Sequence, residues 1–252
     1  MLLILANSQI TALFMFDLPW FTPSHGIMLG LLVLFAISHS GLAALRPWGE
    51  SQIGARAYRV LFALVSLLLA AILVIYFFNH RYDGVRFWQL QTLAGVKPLV
   101  WGLSALSFFF LYPATFNLLE IAAIQKPEIH LYEMGIIRIC RHPQMVGQVI
   151  WCLAHTLWLG TSFTLLTSLG LIAHHSFAVW HGDRRWQQRY GEAFLAVKAR
   201  TSIVPFQAIL EGRQTLVWQE FLKPAYLGVT AFIFLLWWGH PWLMQITIKA
   251  YW

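Results

Sequence analysis

Ten histidines stand in a chain of 252 residues of which only 11% are charged. Four of them, His39, His155, His174 and His175, fall inside long apolar runs, and His142 and His181 stand at the edges of such runs. An ionisable group within a membrane-spanning segment is costly and usually faces a functional interior. Neutral imidazole is a common metal ligand and the usual axial ligand of haem iron. A single such histidine is more often a hydrogen-bonded residue between packed helices. Four together point toward a bound cofactor.

The neighbours of these histidines sharpen that reading. His39 lies between Ser38 and Ser40, a polar island in an apolar run. Either hydroxyl is placed to bond the helix backbone or the imidazole nitrogen that does not ligate a metal. His155 follows Cys152 by three residues, and Gln144, Gln148 and Cys152 repeat every four, so all share one helical face. A thiolate there would ligate or sense redox state, although an inert buried thiol is the commoner case. Cys140 and Cys152 are the two cysteines, which is no disulfide framework, and no C-x-x-C-H stretch offers covalent haem attachment. The close Cys and His spacings of a structural zinc site are absent. So are a Ser-His-Asp set, a phosphate-cradling glycine loop and paired carboxylates inside an apolar run. Asp183 and Glu133 read as solvated interfacial charges.

Hydrophobic residues make up 59% of the chain, too many for a soluble domain of this length. A span needs ~20 apolar residues, and six runs qualify: about Ile27–Leu45, Ala57–Phe78, Pro98–Phe116, Gln144–Leu159, Ser162–His181 and Phe221–Trp238. The expected fold is therefore all-α, a polytopic membrane bundle of about six transmembrane helices forming one domain over residues 1–252. Leu2–Trp20, interrupted by Asn7, Ser8, Gln9 and Asp17, reads as an interfacial segment within residues 1–26. The turn Gly160-Thr161-Ser162 predicts a tight antiparallel hairpin between the fourth and fifth runs. Residues 182–220 read as a connector, in which Asp183–Arg200 carries Trp186, Tyr190, Phe194 and Val197 as one stripe. That stripe suits either the membrane interface or a solvated connector.

Thirteen of the seventeen Lys and Arg lie in the segments after the first, third and fifth runs. Those segments should face the cytoplasm, with both termini outside. The net charge of +7 has this origin, so nucleic acid is not the expected partner. The first twenty residues lack a basic n-region, which argues against a cleaved signal peptide. Among thirteen Trp, Trp20, Trp48, Trp88, Trp237 and Trp242 suit the interfacial belt, while Trp151, Trp158 and Trp180 lie by the hairpin. Packing explains each of those three, and together they suit a slot for a long apolar ligand.

The run from Arg141-His142-Pro143-Gln144 through Trp151-Cys152-Leu153-Ala154-His155 to Trp158 resembles the ζ-carotene isomerase branch of the NnrU-like membrane protein family. The resemblance includes Ser38 to Arg46, Gly170 to His175 and His181 to Arg185, and covers roughly residues 34 to 205. It implies an enzyme of carotenoid biosynthesis, which turns the central 15-15′ bond of 9,15,9′-tri-cis-ζ-carotene from cis to trans and yields the 9,9′-di-cis form. It also implies haem b (heme b), active as ferrous iron, with the ligand histidines falling on His39 and His155 and Cys152 as an alternative ligand. No side chain is singled out as catalytic, the iron itself being expected to do the bond chemistry. The implied partners are the carotenoid, drawn from the bilayer, the membrane lipids, and either a second copy or other carotenoid enzymes. The implied site is a bacterial, cyanobacterial-type plasma or thylakoid membrane.

Depth sets one tension. His39 lies near the cytoplasmic end of its run and His155 toward the outer end of its own, while His174 and His175 match His39 better. The motif keeps His155 as the expected ligand, with His174 in reserve. Two rival readings remain. Arg141-His142-Pro143, the stretch Tyr190 to Phe194 and the stretch Arg200 to Pro205 resemble isoprenylcysteine-type membrane methyltransferases using S-adenosylmethionine. Those enzymes carry a paired Glu where this chain has Asp183-Arg184-Arg185, and they leave His39 without a use. The other rival is a non-enzymatic NnrU-like haem or sensor protein.

Overall fold

The computed structural model describes residues 20–115, 134–222 and 224–249. Leu2–Pro19, Lys126 and Glu133 fall outside them. Nine α-helices are described: α1 Pro23–Ile53, α2 Ala55–His80, α3 Val96–Thr115, α4 Ile136–Ile139, α5 Pro143–Leu159, α6 Ser162–Tyr190, α7 Glu192–Arg200, α8 Gln207–Leu210 and α9 Pro224–Lys249, with a 3₁₀ turn at Trp218–Phe221. The protein is an all-α membrane protein. Among the described residues four helices are long and apolar enough to cross a bilayer: α1, α2, α6 and the Tyr226–Ile246 part of α9. Of the other two expected spans, one is a shorter apolar helix, Val96–Leu111, and the other is the 17-residue α5.

Lipid chains are as apolar as leucine, so burying apolar area against a neighbouring helix gains little. Close backbone approach and interhelical hydrogen bonds must hold the bundle instead. Three glycines supply the approach. A Cβ at Gly147 of α5 would stand 2.7 Å from the Ser107 carbonyl of α3. One at Gly170 of α6 would stand 2.6 Å from Leu32 of α1, and one at Gly49 would enter the Tyr58 ring. Tyr58 in turn donates to the Leu42 carbonyl at 2.6 Å, closing the α1–α2 hairpin. Met28, Leu32, Leu73, Phe77, Leu159 and Phe163 form the buried cluster where α1, α2, α5 and α6 meet.

The expected tight hairpin is present. Gly160 takes the left-handed conformation that ends α5, and Thr161 caps α6 by accepting from the Thr164 amide at 3.2 Å. The loop after α2 is stitched onto this turn: the Phe87 amide donates to the Gly160 carbonyl at 2.7 Å, and the Ser162 amide to the Val85 carbonyl at 2.8 Å. Beside it, the buried His25 accepts the Thr22 amide at Nδ1. Its neutral ring therefore carries the proton on Nε2 and donates it to Ser162 Oγ at 3.0 Å. That polarity is the reverse of what a nucleophilic serine needs, so the pair is a structural tie.

The structure corrects three boundaries. The fifth run does not stop at His181, because α6 continues to Tyr190 and breaks at Gly191 with φ 51°. The fall in hydropathy at Gly182 marks the edge of the apolar region and not the end of the helix. The first run extends to Pro23 and Ile53, with Pro47 inside it. The last begins at Pro224 and runs to Lys249 through Pro241. The stripe from Trp186 to Val197 splits as a result: Trp186 is 46% exposed while Phe194 and Val197 are buried, with the Trp186 and Phe194 rings 5.8 Å apart.

Candidate functional site

His39 sits midway along α1, facing α2 and α6. Its Nδ1 lies 3.0 Å from Ser66 Oγ of α2. The ring stacks on Phe35 at 5.3 Å and meets Phe62 at 4.9 Å. Ser38 and Ser40, the expected partners, are replaced by this hydroxyl from the next helix. Their positions one residue away turn them toward other faces of α1. Ser66 is the one serine or threonine in the most apolar span, and that isolation is the signal that would have found it.

The structure brings His39 and His174 together. Their ring centroids are 5.9 Å apart at 76°, and His174 also meets Phe35 at 5.1 Å and His175 at 5.5 Å. His174 is buried, and its Nδ1 has no hydrogen-bond partner. An unpartnered polar atom in an apolar surround costs about 1–3 kcal/mol, so this nitrogen marks a place where a further group would be favourable.

His155 lies elsewhere on the bundle. Its Nδ1 donates to the Trp151 carbonyl at 2.9 Å, since a carbonyl can only accept, which leaves Nε2 as a bare lone pair on the neutral ring. The ring stacks on Trp151 at 3.8 Å, and Trp151 touches Phe77 at 6.0 Å. Phe77 follows Ser66 along α2 by eleven residues, about 16 Å of helix. The depth difference expected between His39 and His155 is thus present. Cys152 is fully buried and accepts from Gln148 Nε2 at 3.4 Å, so that part of the polar stripe assembles. Gln144, one turn earlier, is exposed.

Ligand chemistry fits the imidazoles present. A ligating histidine commonly fixes its second nitrogen on a hydroxyl, carbonyl or carboxylate. His39 on Ser66 and His155 on the Trp151 carbonyl both have that anchorage, and His174 brings an unused buried nitrogen. Among the described residues no group of three or more His, Cys, Asp or Glu is placed to hold a metal ion. A haem brings its own equatorial nitrogens and takes one or two imidazoles from the protein, the donor type that His39, His155 and His174 carry.

On the basic side, Asp183 is no solvated charge. It accepts from Arg141 at 3.0 Å and pairs with His142 at 2.8 Å, its side chain only 12% exposed. Arg141 also donates to Thr201 Oγ1 at 3.2 Å, so one carboxylate joins α6, the start of α5 and the end of α7. Arg138 clamps Glu220 at 2.8 Å and Gln214 at 2.8 Å. Cys140 donates to the Ile203 carbonyl at 2.9 Å, and burial pushes its thiol up to about 11. Arg185 of α6 donates from Nη1 to the Ala43 carbonyl at 2.6 Å.

Comparison with known proteins adds what geometry alone does not carry. Two curated relatives are described as chloroplastic 15-cis-zeta-carotene isomerases. The Arabidopsis thaliana protein is 55% identical over 228 residues, 89% of this chain and 62% of its own length. The Zea mays protein is 55% identical over 222 residues, 87% of this chain and 60% of its own length. The chain thus spans about three fifths of the length of these relatives. No solved structure gives a significant match. The family model described as NnrU protein matches residues 27–248, and the chain belongs to that family.

Proposed function

We propose that this protein isomerises the central 15-15′ double bond of 9,15,9′-tri-cis-ζ-carotene to give 9,9′-di-cis-ζ-carotene, with a haem b held within the bundle. The observation that carries the reading is 55% identity to two carotene isomerases over nearly nine tenths of the chain. The intramembrane imidazoles support it. A plasma or thylakoid membrane of a photosynthetic cell is the matching location.

His39 would hold the haem, with His155 as the second ligand and Cys152 as the alternative on its face by family resemblance alone, since about 16 Å of α2 separates the levels of His39 and His155 in this structure. A specific observation favours a second arrangement, in which His174 takes the place of His155: the His39 and His174 rings are neighbours at 5.9 Å. When bound, ferrous haem supplies a metal centre able to lower the order of a polyene double bond. The chain's own residues do the rest. Ser66 holds the His39 ring in one orientation, and Phe35 and Phe62 exclude water from it. The outer face of α2 exposes Leu64, Leu67 and Leu68, and that of α1 Leu34 and Ile37, so an apolar C40 polyene reaches the helix seams without passing through water.

Absorption spectra of the detergent-purified protein, oxidised and reduced, test the cofactor. A b-type spectrum lost in His39→Ala and altered in His155→Ala is the expected result. Alteration by His174→Ala with His155→Ala unchanged selects the second arrangement. Absence of haem under ample supply overturns the cofactor. Carotenoid profiles of dark-grown cells that accumulate the tri-cis substrate test the reaction, since conversion requires an isomerase and no passive haem protein supplies it.

A further inference from the structure

The seam between α1 and α6 continues past His39 and His174 toward the basic side. Ala43 follows His39 by four residues on α1, and His181 and Arg185 follow His174 by seven and eleven on α6. Arg185 reaches across this seam to the Ala43 carbonyl, about one helical turn, or ~6 Å, from the level of His39.

Arg185 has no carboxylate partner among the described residues. Glu50 is taken by Arg46 at 2.7 Å, and Asp183 by Arg141 and His142. The Arg185 Nε is buried and makes no hydrogen bond. A half-buried guanidinium with one carbonyl as its hydrogen-bond acceptor is a costly arrangement at the edge of a membrane. It becomes favourable when an anion with two oxygens docks on the planar fork.

The anion must satisfy the surroundings as well as the charge. Toward the membrane interior the seam is lined by Phe35, Phe62 and imidazoles, and toward the basic side by Arg185. A ligand apolar over most of its area, held by an imidazole and carrying a carboxylate at one edge matches both parts. We propose that Arg185 binds a propionate carboxylate of the haem and so turns the charged edge of the macrocycle toward the basic side. This rests on the haem reading above.

The test is titration of haem-free protein, in nanodiscs of phosphatidylcholine, with haem and with haem dimethyl ester, whose carboxylates are masked. Wild type should bind haem about 10- to 100-fold more tightly than the ester, the range of a charge-assisted hydrogen bond. Arg185→Gln should bind both alike at the ester's affinity, and Arg185→Lys should recover part of the preference. In resonance Raman spectra, the propionate bending band should shift in R185Q and R185K while the bands reporting iron ligation stay. R185K serves if R185Q does not fold. Equal binding of haem and ester by wild type, or a preference kept in R185Q, overturns the proposal. If phosphatidylglycerol raises the thermal midpoint of wild type but not of R185Q, and the two porphyrins bind alike, the anion is a lipid phosphate and the proposal is wrong. Failure of either porphyrin to bind wild type overturns the haem reading itself, a distinguishable result.

Discussion

The Nδ1 of His39 and the Oγ of Ser66 lie 3.0 Å apart across the α1–α2 interface, and this bond fixes the orientation of an imidazole that local sequence leaves free to turn. Loss of such a second-nitrogen partner typically costs a metal site about 10- to 100-fold in affinity. Ser66→Ala should weaken haem binding by that order, and Ser66→Thr should retain most of it. Spectral titration of the haem-free variants checks this, and an unchanged affinity in S66A would remove Ser66 from the site.

His174 gives a prediction of opposite sign. Its unpartnered Nδ1 is buried, so His174→Leu replaces an unsatisfied polar group with an apolar one of similar length. The haem-free protein should gain about 1 kcal/mol. Thermal unfolding in detergent reads the shift, and a marked loss of stability would mean that His174 has a partner in the membrane.

Gly84 is held at φ 76°, and a Cβ there would lie 2.1 Å from Ser162 Oγ and 2.7 Å from His25 Cε1. Gly84→Ala should therefore break the tie between the loop and the hairpin turn, at a cost of about 2–4 kcal/mol. Ser162→Ala removes one acceptor without a clash and should cost less. A stable G84A protein with an unshifted thermal midpoint would refute this packing.

Asp183→Asn removes the charge that Arg141 and His142 share. The Arg141 side chain is 8% exposed, so the variant strands a buried cation, and about 3 kcal/mol should be lost. Replacing Asp183 and Arg141 together with Asn and Met should recover part of the loss. A double-mutant cycle in thermal unfolding measures the coupling, and additivity would show that the pair does not interact.

Cys140 should resist alkylation in the native protein. With its thiol near 11, the thiolate is about one part in a thousand at pH 8 and grows about tenfold with each unit by which the pH is raised toward 11. Maleimide labelling of the Cys152→Ala protein, native against SDS-denatured, follows the rise. Rapid native labelling at pH 7 would place the thiol outside the packed cluster of Ile136, Ile139 and Val146.

Much of the architecture was legible in composition and local pattern. Apolar runs of bilayer length name the spans because unsatisfied backbone groups have no alternative to a helix in lipid. The Gly160 turn is legible because three residues leave no other path. The histidines stand out because ionisable groups are rare in such runs. What tertiary structure alone decided is which of these residues meet. The lone Ser66, and not the adjacent Ser38 or Ser40, anchors His39, because side chains one residue apart on a helix diverge by about 100° and an interhelical partner is set by register. His174 comes beside His39 because α1 and α6 run alongside each other with Gly170 seated on Leu32, a contact between residues 138 apart that no local spacing encodes. Asp183 becomes a buried clamp because α6 outlasts its apolar stretch by two turns, and only the fold brings Arg141 back to it. Arg185 was one of many basic residues in the chain, and its lack of an answering carboxylate among the described residues is a property of the assembled seam.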